Sequence, residues 1–230
     1  MIYFYTGVPG SGKGLHSAEV IYRMLQSGKD VITNVECHTE LIEPLKNKLI
    51  GNFIYVPNSE WLNDAFIQKP KEKIEKFSYL QGLYGYANNY HKRKPDGTFY
   101  EHQTWLVIDE CHELFNSRTW NRKDRLAWCA FFREHRKYGF DVILISQDDK
   151  NIDKQIRAVL QKQVLHRKVT DYKVFGKVLK LLTGRDLFVA ISSQYGMRKA
   201  DAKIGSRFFF GKQKYYDFYN TMQTFRDSGL

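Results

Sequence analysis

A mainly parallel α/β sheet flanked by helices, with a partly antiparallel β appendage near the C-terminus, is the fold this sequence predicts. Three observations predict it. A short apolar run, Ile2-Tyr-Phe-Tyr-Thr6, feeds directly into a glycine-rich loop and then a helical pattern. A second run, Thr104-Trp-Leu-Val-Ile108, stops at two acids, Asp109 and Glu110. A third, Asp141-Val-Ile-Leu-Ile-Ser146, ends at Gln147. Strands buried on both faces read as continuous apolar runs, and parallel strands need helical crossovers between them.

Each element follows in order. Between residues 13 and 27, Leu15, Ala18, Ile21, Met24 and Leu25 recur at helical spacing, and Gly28 supplies the stop. Residues 30–35 read as the second strand and 52–56 as a third or an edge strand. Residues 57–103 interrupt the alternation as a Lys/Tyr-rich insert, with a short helix over 60–67 and a turn at Pro95-Asp-Gly-Thr98. A helix over 124–138, with core spacing at Leu126, Cys129 and Phe132, closes at Gly139, and residues 153–160 look helical. Residues 164–169, 187–192, 207–210 and 215–219 read as β segments, partly antiparallel, within a basic part at about 160–221. The chain, 1–230, is thus expected to be one domain carrying an insert and a basic β-rich portion.

Composition narrows the function classes. The hydrophobic fraction of 43% suits a globular protein, and no apolar run approaches the roughly 18–20 residues that span a bilayer. The start lacks the basic and small-residue marks of a signal peptide, so the chain is expected to be soluble and cytosolic. Cys37, Cys111 and Cys129 are too widely spaced for a zinc site or a disulfide framework and suit buried thiols in a reducing compartment. His112 and His135 have no evident metal-binding companions. Net charge is +11, and residues 160–214 hold 13 Lys or Arg against 3 Asp or Glu. Such a face fits nucleic acid, an anionic membrane surface, or plain solvation, and charge alone does not choose.

The loop from Gly7 to Leu15 has the pattern G-x-x-x-x-G-K, with Gly7, Gly12 and Lys13 in place and Val8, Pro9, Gly10 and Ser11 between. Glycines let the backbone turn its N–H groups to a phosphate, the helix N-terminus favours the anion, and Lys13 reaches the terminal phosphates. This P-loop points to ATP. Gly14 stands where such loops carry the Ser or Thr that holds Mg²⁺, and Leu15 offers no substitute. The metal is then expected to rely on phosphate oxygens, water and Asp109, which an apolar strand delivers as in a Walker B motif. Glu110, one residue on, is the candidate base for an attacking water, and Gln147 the candidate polar sensor of the γ-phosphate.

Together these segments resemble the zonula occludens toxin family, which includes the filamentous-phage assembly ATPases within the FtsK/HerA-like branch of P-loop pumps. The resemblance is carried by Tyr5-Thr-Gly-Val-Pro-Gly-Ser-Gly-Lys13, Val31-Ile-Thr-Asn34 and Val107-Ile-Asp-Glu-Cys-His-Glu-Leu-Phe115. It continues in the stretch from Arg133 to Gln147, in Asn151-Ile-Asp-Lys-Gln-Ile-Arg157, and in Tyr216-Asp-Phe-Tyr-Asn-Thr221, which is similar to the family's closing strand. It implies Lys13 as phosphate lysine, Asp109 as the magnesium-side carboxylate, Glu110 as base and Gln147 as sensor. It further implies a homo-oligomeric ring in which an arginine acts on the neighbour's nucleotide, with Arg133, Arg136 and Arg157 as candidates. Phage assembly and coat proteins, single-stranded phage DNA, and the host inner membrane at its cytoplasmic face, reached through a segment absent here, are the implied partners. A tyrosine group, Tyr79, Tyr84, Tyr86 and Tyr90, beside Lys92, Arg93 and Lys94, suits packing or a subunit contact better than base stacking.

Two other functions stay open at this level. The Gly-Lys-Gly ending is similar to that of nucleotide kinases of the adenylate kinase type, although their acceptor segment is missing and Glu110 would invite water. A scaffold that binds nucleotide without hydrolysing it is the other, kept open by Gly14.

Overall fold

The computed structural model describes residues 1–62, 67, 82–119, 122–172, 176, 180–197 and 202–219. Strand β1 (Ile2–Thr6) runs through the glycine loop into α1 (Lys13–Gln26), followed by β2 (Asp30–Thr33) and β3 (Phe53–Tyr55). A single turn, α2 (Asn58–Trp61), and α3 (Gly82–Tyr90) belong to the insert, and β4 (Thr104–Ile108) ends at the acids. Then come α4 (Arg125–Glu134), β5 (Phe140–Ile145), the one-turn α5 (Lys154–Arg157) and β6 (Lys162–Lys168). β7 (Leu187–Gln194), β8 (Lys203–Phe210) and α6 (Gln213–Phe218) complete the described chain.

These strands form one sheet in the order β3-β2-β4-β5-β1-β6-β7-β8. Pairing is parallel from β3 through β6, and antiparallel where β6 meets β7 and β7 meets β8. The expected β appendage is therefore the far end of the main sheet. Its first strand joins β1 directly, with Phe4 opposite Gln163 and Tyr5 opposite Val164.

Side-chain alternation divides the core between the two faces of the sheet. Phe4, Leu106, Ile108, Val142 and Leu144 point to one face, against the insert and α4. Tyr5, Val107, Ile143, Ile145 and Val164 point to the other, against α1 and α6. The insert's Tyr84 packs on Phe131 and Tyr138, and the Tyr86 hydroxyl donates to Asp30 Oδ2 at 2.6 Å. Tyr90 is exposed, and Tyr79 lies outside the described residues.

Several sequence expectations change. Residues 215–219 are not a strand: Gln213–Phe218 is helical, and Tyr219 makes only an isolated bridge to Cys37. Tyr215, Phe218 and Tyr219 fall at i, i+3 and i+4, and the first two set their rings on Tyr22 of α1 at 5.6 and 5.4 Å. Aromatic richness mimicked a strand, but the burial period is helical. In α4, Leu126 is 71% exposed, while Arg125 is buried with its Nε 3.7 Å from Asp153 Oδ2. The core stripe there runs instead through Trp128, Cys129, Phe131 and Phe132. The helix over 124–138 breaks into α4 and a 3-10 turn, His135–Tyr138, before the left-handed Gly139. Of the helix expected over 153–160, one turn forms, capped by the Asp153 side chain. The helix expected over 60–67 begins at Asn58, and residues 63–66 lie outside the described chain.

Candidate active site

The loop after β1 is held open by backbone shapes that favour glycine. Gly12 has φ +93°, and a Cβ there would stand 2.6 Å from the Phe188 ring. Gly7 has φ +144°, and a Cβ there would stand 2.6 Å from the His166 carbonyl oxygen. No side chain caps α1, so its first N–H groups and its dipole remain available to an anion. Lys13 Nζ donates to the carbonyl oxygens of Gly7 at 2.6 Å and Val8 at 3.2 Å. The loop thus stores the ammonium beside the place a phosphate would take. Burial lowers Lys13 below the usual lysine range, against the opposing pull of Glu110 and Asp109.

The acids are fixed from three directions. Asp109 follows β4, and its N–H donates to Asn34 Oδ1 at 2.8 Å while Asn34 Nδ2 returns to the Asp109 carbonyl at 2.9 Å. Asn34, at the end of β2, therefore clips the backbone at the acid and also donates to Asn58 Oδ1 at 2.9 Å. The Asp109 carboxylate accepts the Glu110 N–H on Oδ1 at 2.8 Å and the Tyr219 hydroxyl on Oδ2 at 2.5 Å. Burial raises Asp109 above the usual carboxylate range, with the Tyr219 hydrogen bond opposing the shift. The same burial and the Asp109 charge lift the Tyr219 hydroxyl well above its ordinary value, so it remains a donor.

Glu110 has φ 44°, a left-handed conformation that costs a non-glycine residue about 1 kcal/mol or more. This turns the chain out of β4 at the acid pair. His112 Nδ1 lies 3.2 Å from Glu110 Oε2, and that partner holds the imidazole above the usual histidine range.

Strand order brings the third element in. β5 lies between β1 and β4, and the three are parallel, so their ends share one rim. The Thr6 hydroxyl at the end of β1 donates to the Gln147 carbonyl at 2.8 Å, and Cys111 N–H to the Ile145 carbonyl at 2.9 Å. A cavity of about 450 Å³ results, and every residue from Pro9 to Leu15 lines it. Asp109, Glu110 and Gln147 line it too, as do Lys168, Asp186, Phe188, Tyr216 and Tyr219 from the C-terminal part. Its hard oxygen donors, two adjacent carboxylates beside a lysine, suit Mg²⁺ with a triphosphate.

The arginines lie elsewhere. Arg136 precedes β5, at the rim opposite the P-loop, and pairs with Glu101 through Nη2 at 2.9 Å. Arg133 lines a surface groove with it, and Arg157 is half-buried in α5 near Tyr195. Among the described residues, no group of three or more His, Cys, Asp or Glu could hold a metal ion, and no helix is long and apolar enough to cross a membrane. Cys37, Cys111 and Cys129 are free thiols.

Sequence reasoning missed three site residues. Asn34 closes the run Val31-Ile-Thr-Asn34, which carries no sign of its partner. His112 stands two residues from Glu110, and that spacing past a sharp turn was the available signal. Tyr219 carried no local signal, since its partner is 110 positions away.

A phosphate-binding loop, a parallel strand set between it and an acid-bearing strand, and helices on both faces define the P-loop NTPase fold. Residues 1–178 match the model of the zonular occludens toxin (Zot) family, and the chain belongs to that family. It is similar to the "Gene 1 protein" of Enterobacteria phage M13, 28% identical over 238 residues, covering 100% of this chain and 62% of the relative. The "Gene 1 protein" of Escherichia phage If1 is 28% identical over 235 residues, covering 99% and 60%. The chain thus spans about 62% or less of the length of these relatives. The N-terminal domain of zonular occludens toxin from Neisseria meningitidis shares the fold, with a TM-score of 0.50 and 15% identity over 95% of this chain and 98% of that one.

Proposed function

We propose that this chain is the ATP-hydrolysing domain of a motor for filamentous-phage assembly and extrusion. The observation that carries it is the convergence of Lys13, Asp109, Glu110 and Gln147 on one cavity. Lys13 would exchange its loop carbonyls for the β and γ oxygens of ATP. Asp109 would hold Mg²⁺ through water, and the ion would neutralise charge on the phosphates as the terminal bond breaks. A carboxylate oxygen of Glu110, 3.2 Å from His112 Nδ1, would take the proton of the attacking water. The Gln147 amide would orient that water.

Similarity to the gene 1 proteins of filamentous phages supports a phage setting; within it the proposal is a homo-oligomeric ring at the cytoplasmic face of the host inner membrane, acting with phage assembly and coat proteins and with phage DNA. Arg136 and Arg157 are the candidates for a contribution in trans, since each lies away from its own P-loop cavity. The test is phosphate release from ATP and Mg²⁺ by wild type and Glu110→Gln, with and without AMP, across protein concentrations that span assembly. The variant should lose roughly 10²–10⁴-fold. AMP-dependent ADP formation would replace hydrolysis by phosphoryl transfer, and silence in every assembly state would leave a scaffold.

A further inference from the structure

We propose that Tyr219 supplies, from the C-terminal segment, the hydroxyl that residue 14 lacks, and positions the Asp109 carboxylate toward nucleotide-bound Mg²⁺. This rests on reading the cavity as a nucleotide site. Gly14 lies within α1 and has no left-handed φ, so its backbone does not demand glycine. A Cβ at Gly14 would stand in ordinary contact with Tyr219, 3.4 Å from its Cε1 and 3.5 Å from its Cζ and Oη, so a serine fits beside the ring. The tyrosine ring therefore lies directly beside the place where a serine or threonine side chain would stand. From there its hydroxyl donates to Asp109 Oδ2 at 2.5 Å.

With Glu110 N–H on Oδ1 at 2.8 Å, each oxygen of that carboxylate has one fixed donor. A carboxylate oxygen has two lone pairs, so one on each remains for metal-bound water. Tyr219 is itself firmly placed. It is buried, it bridges to Cys37, and the preceding Phe218 carbonyl accepts the His38 N–H at 2.9 Å. Helix α6 sets its rings on Tyr22 of α1, the helix that begins at Lys13. Tyr219 is thus a positioning residue that acts through Asp109.

The experiment is an Mn²⁺ titration, followed by the electron paramagnetic resonance signal of the free ion, with a non-hydrolysable ATP analogue bound. Tyr219→Phe keeps the ring and should weaken Mn²⁺ binding about tenfold or more, as loss of a partner to a metal ligand does. Analogue binding in EDTA should barely move. The double variant Gly14→Ser/Tyr219→Phe, with a hydroxyl restored at residue 14, should recover most of the Mn²⁺ affinity. Equal Mn²⁺ affinity in wild type and Tyr219→Phe overturns the proposal, as does a double variant no better than Tyr219→Phe. An equal loss of analogue binding in EDTA overturns it too, because that marks packing. A wild type that binds Mn²⁺ in this way but releases no phosphate sinks hydrolysis and leaves the Tyr219 assignment standing; one that binds no Mn²⁺ with the analogue overturns both.

Discussion

The two halves of the sheet differ in kind, yet one cavity needs both. The parallel half, β2, β4, β5 and β1, is built from nearly continuous apolar runs; all six residues of β5 are buried. It delivers the P-loop, Asp109, Glu110 and Gln147. The antiparallel half is half-exposed and basic, with β8 showing Ile204, Phe208 and Phe210 to solvent. It contributes Lys168, Asp186 and Phe188 to the wall, and the helix after it leads into Tyr219. The lesson is a division of labour: the buried half carries groups for chemistry, while the exposed half shapes and steadies the place where they meet.

The seam between the halves is where their interdependence is most exposed to a single substitution. Gly12, on the loop, faces Phe188 of β7, which stacks on Phe209 of β8 at 5.5 Å. Gly12→Ala meets both a left-handed backbone and that ring, and should cost roughly 2–4 kcal/mol in denaturant unfolding. A loss below about 1 kcal/mol would mean that the halves are not locked together there.

Acid should loosen the same seam. His16 Nδ1 of α1 and His166 Nε2 of β6 are 2.7 Å apart, both buried. Tyr5 of β1 stacks on His16, Arg207 Nη1 of β8 is 3.4 Å from His16 Nε2, and Arg207 also pairs with Glu19 of α1. Burial first, then Arg207 and Arg23, pushes His16 down to about 4; burial first, then His16, lowers His166. With folded values below the unfolded one near 6.5, the unfolded chain takes up protons first. Stability is therefore full above about pH 6.5 and falls toward about pH 4, by roughly 3 kcal/mol from His16 alone. Unfolding midpoints at pH 7.5 and 4.5 measure it, and His16→Gln/His166→Gln should flatten the difference. A slope as steep in that variant would assign the acid loss to other groups.

The smallest effect belongs to a residue on neither half's contribution to the cavity. Arg136→Ala removes an exposed pair with Glu101 and should leave the unfolding midpoint nearly unchanged. Phosphate release by dilute, unassembled chain should stay as in wild type. A loss there would place Arg136 nearer its own nucleotide than the sheet allows.

Legibility followed the same division. Runs such as Val142 to Ile145 announced buried strands, and the glycines with Lys13 announced the cradle, because both signals are local. The partner of Asn34 is 75 positions away and that of Tyr219 is 110, so neither hydrogen bond leaves a trace in nearby residues. Residues 215–219 were misread because aromatics serve strands and helices alike, and five residues hardly separate a period of 2 from 3.6. Leu126 misled in the same way: a leucine at core spacing turned outward, while Arg125 turned in beside Asp153.

Of the described strands, β1 emerges before the others and is among the last to be enclosed. Both its neighbours, β5 and β6, come from residues 140–168, and the hydroxyl on Asp109 arrives with residue 219. A nascent chain on the ribosome therefore carries its glycine loop long before any finished pocket exists. Closing such distant pairings is the slow kind of folding, which delays completion of the pocket until this stretch of chain has emerged.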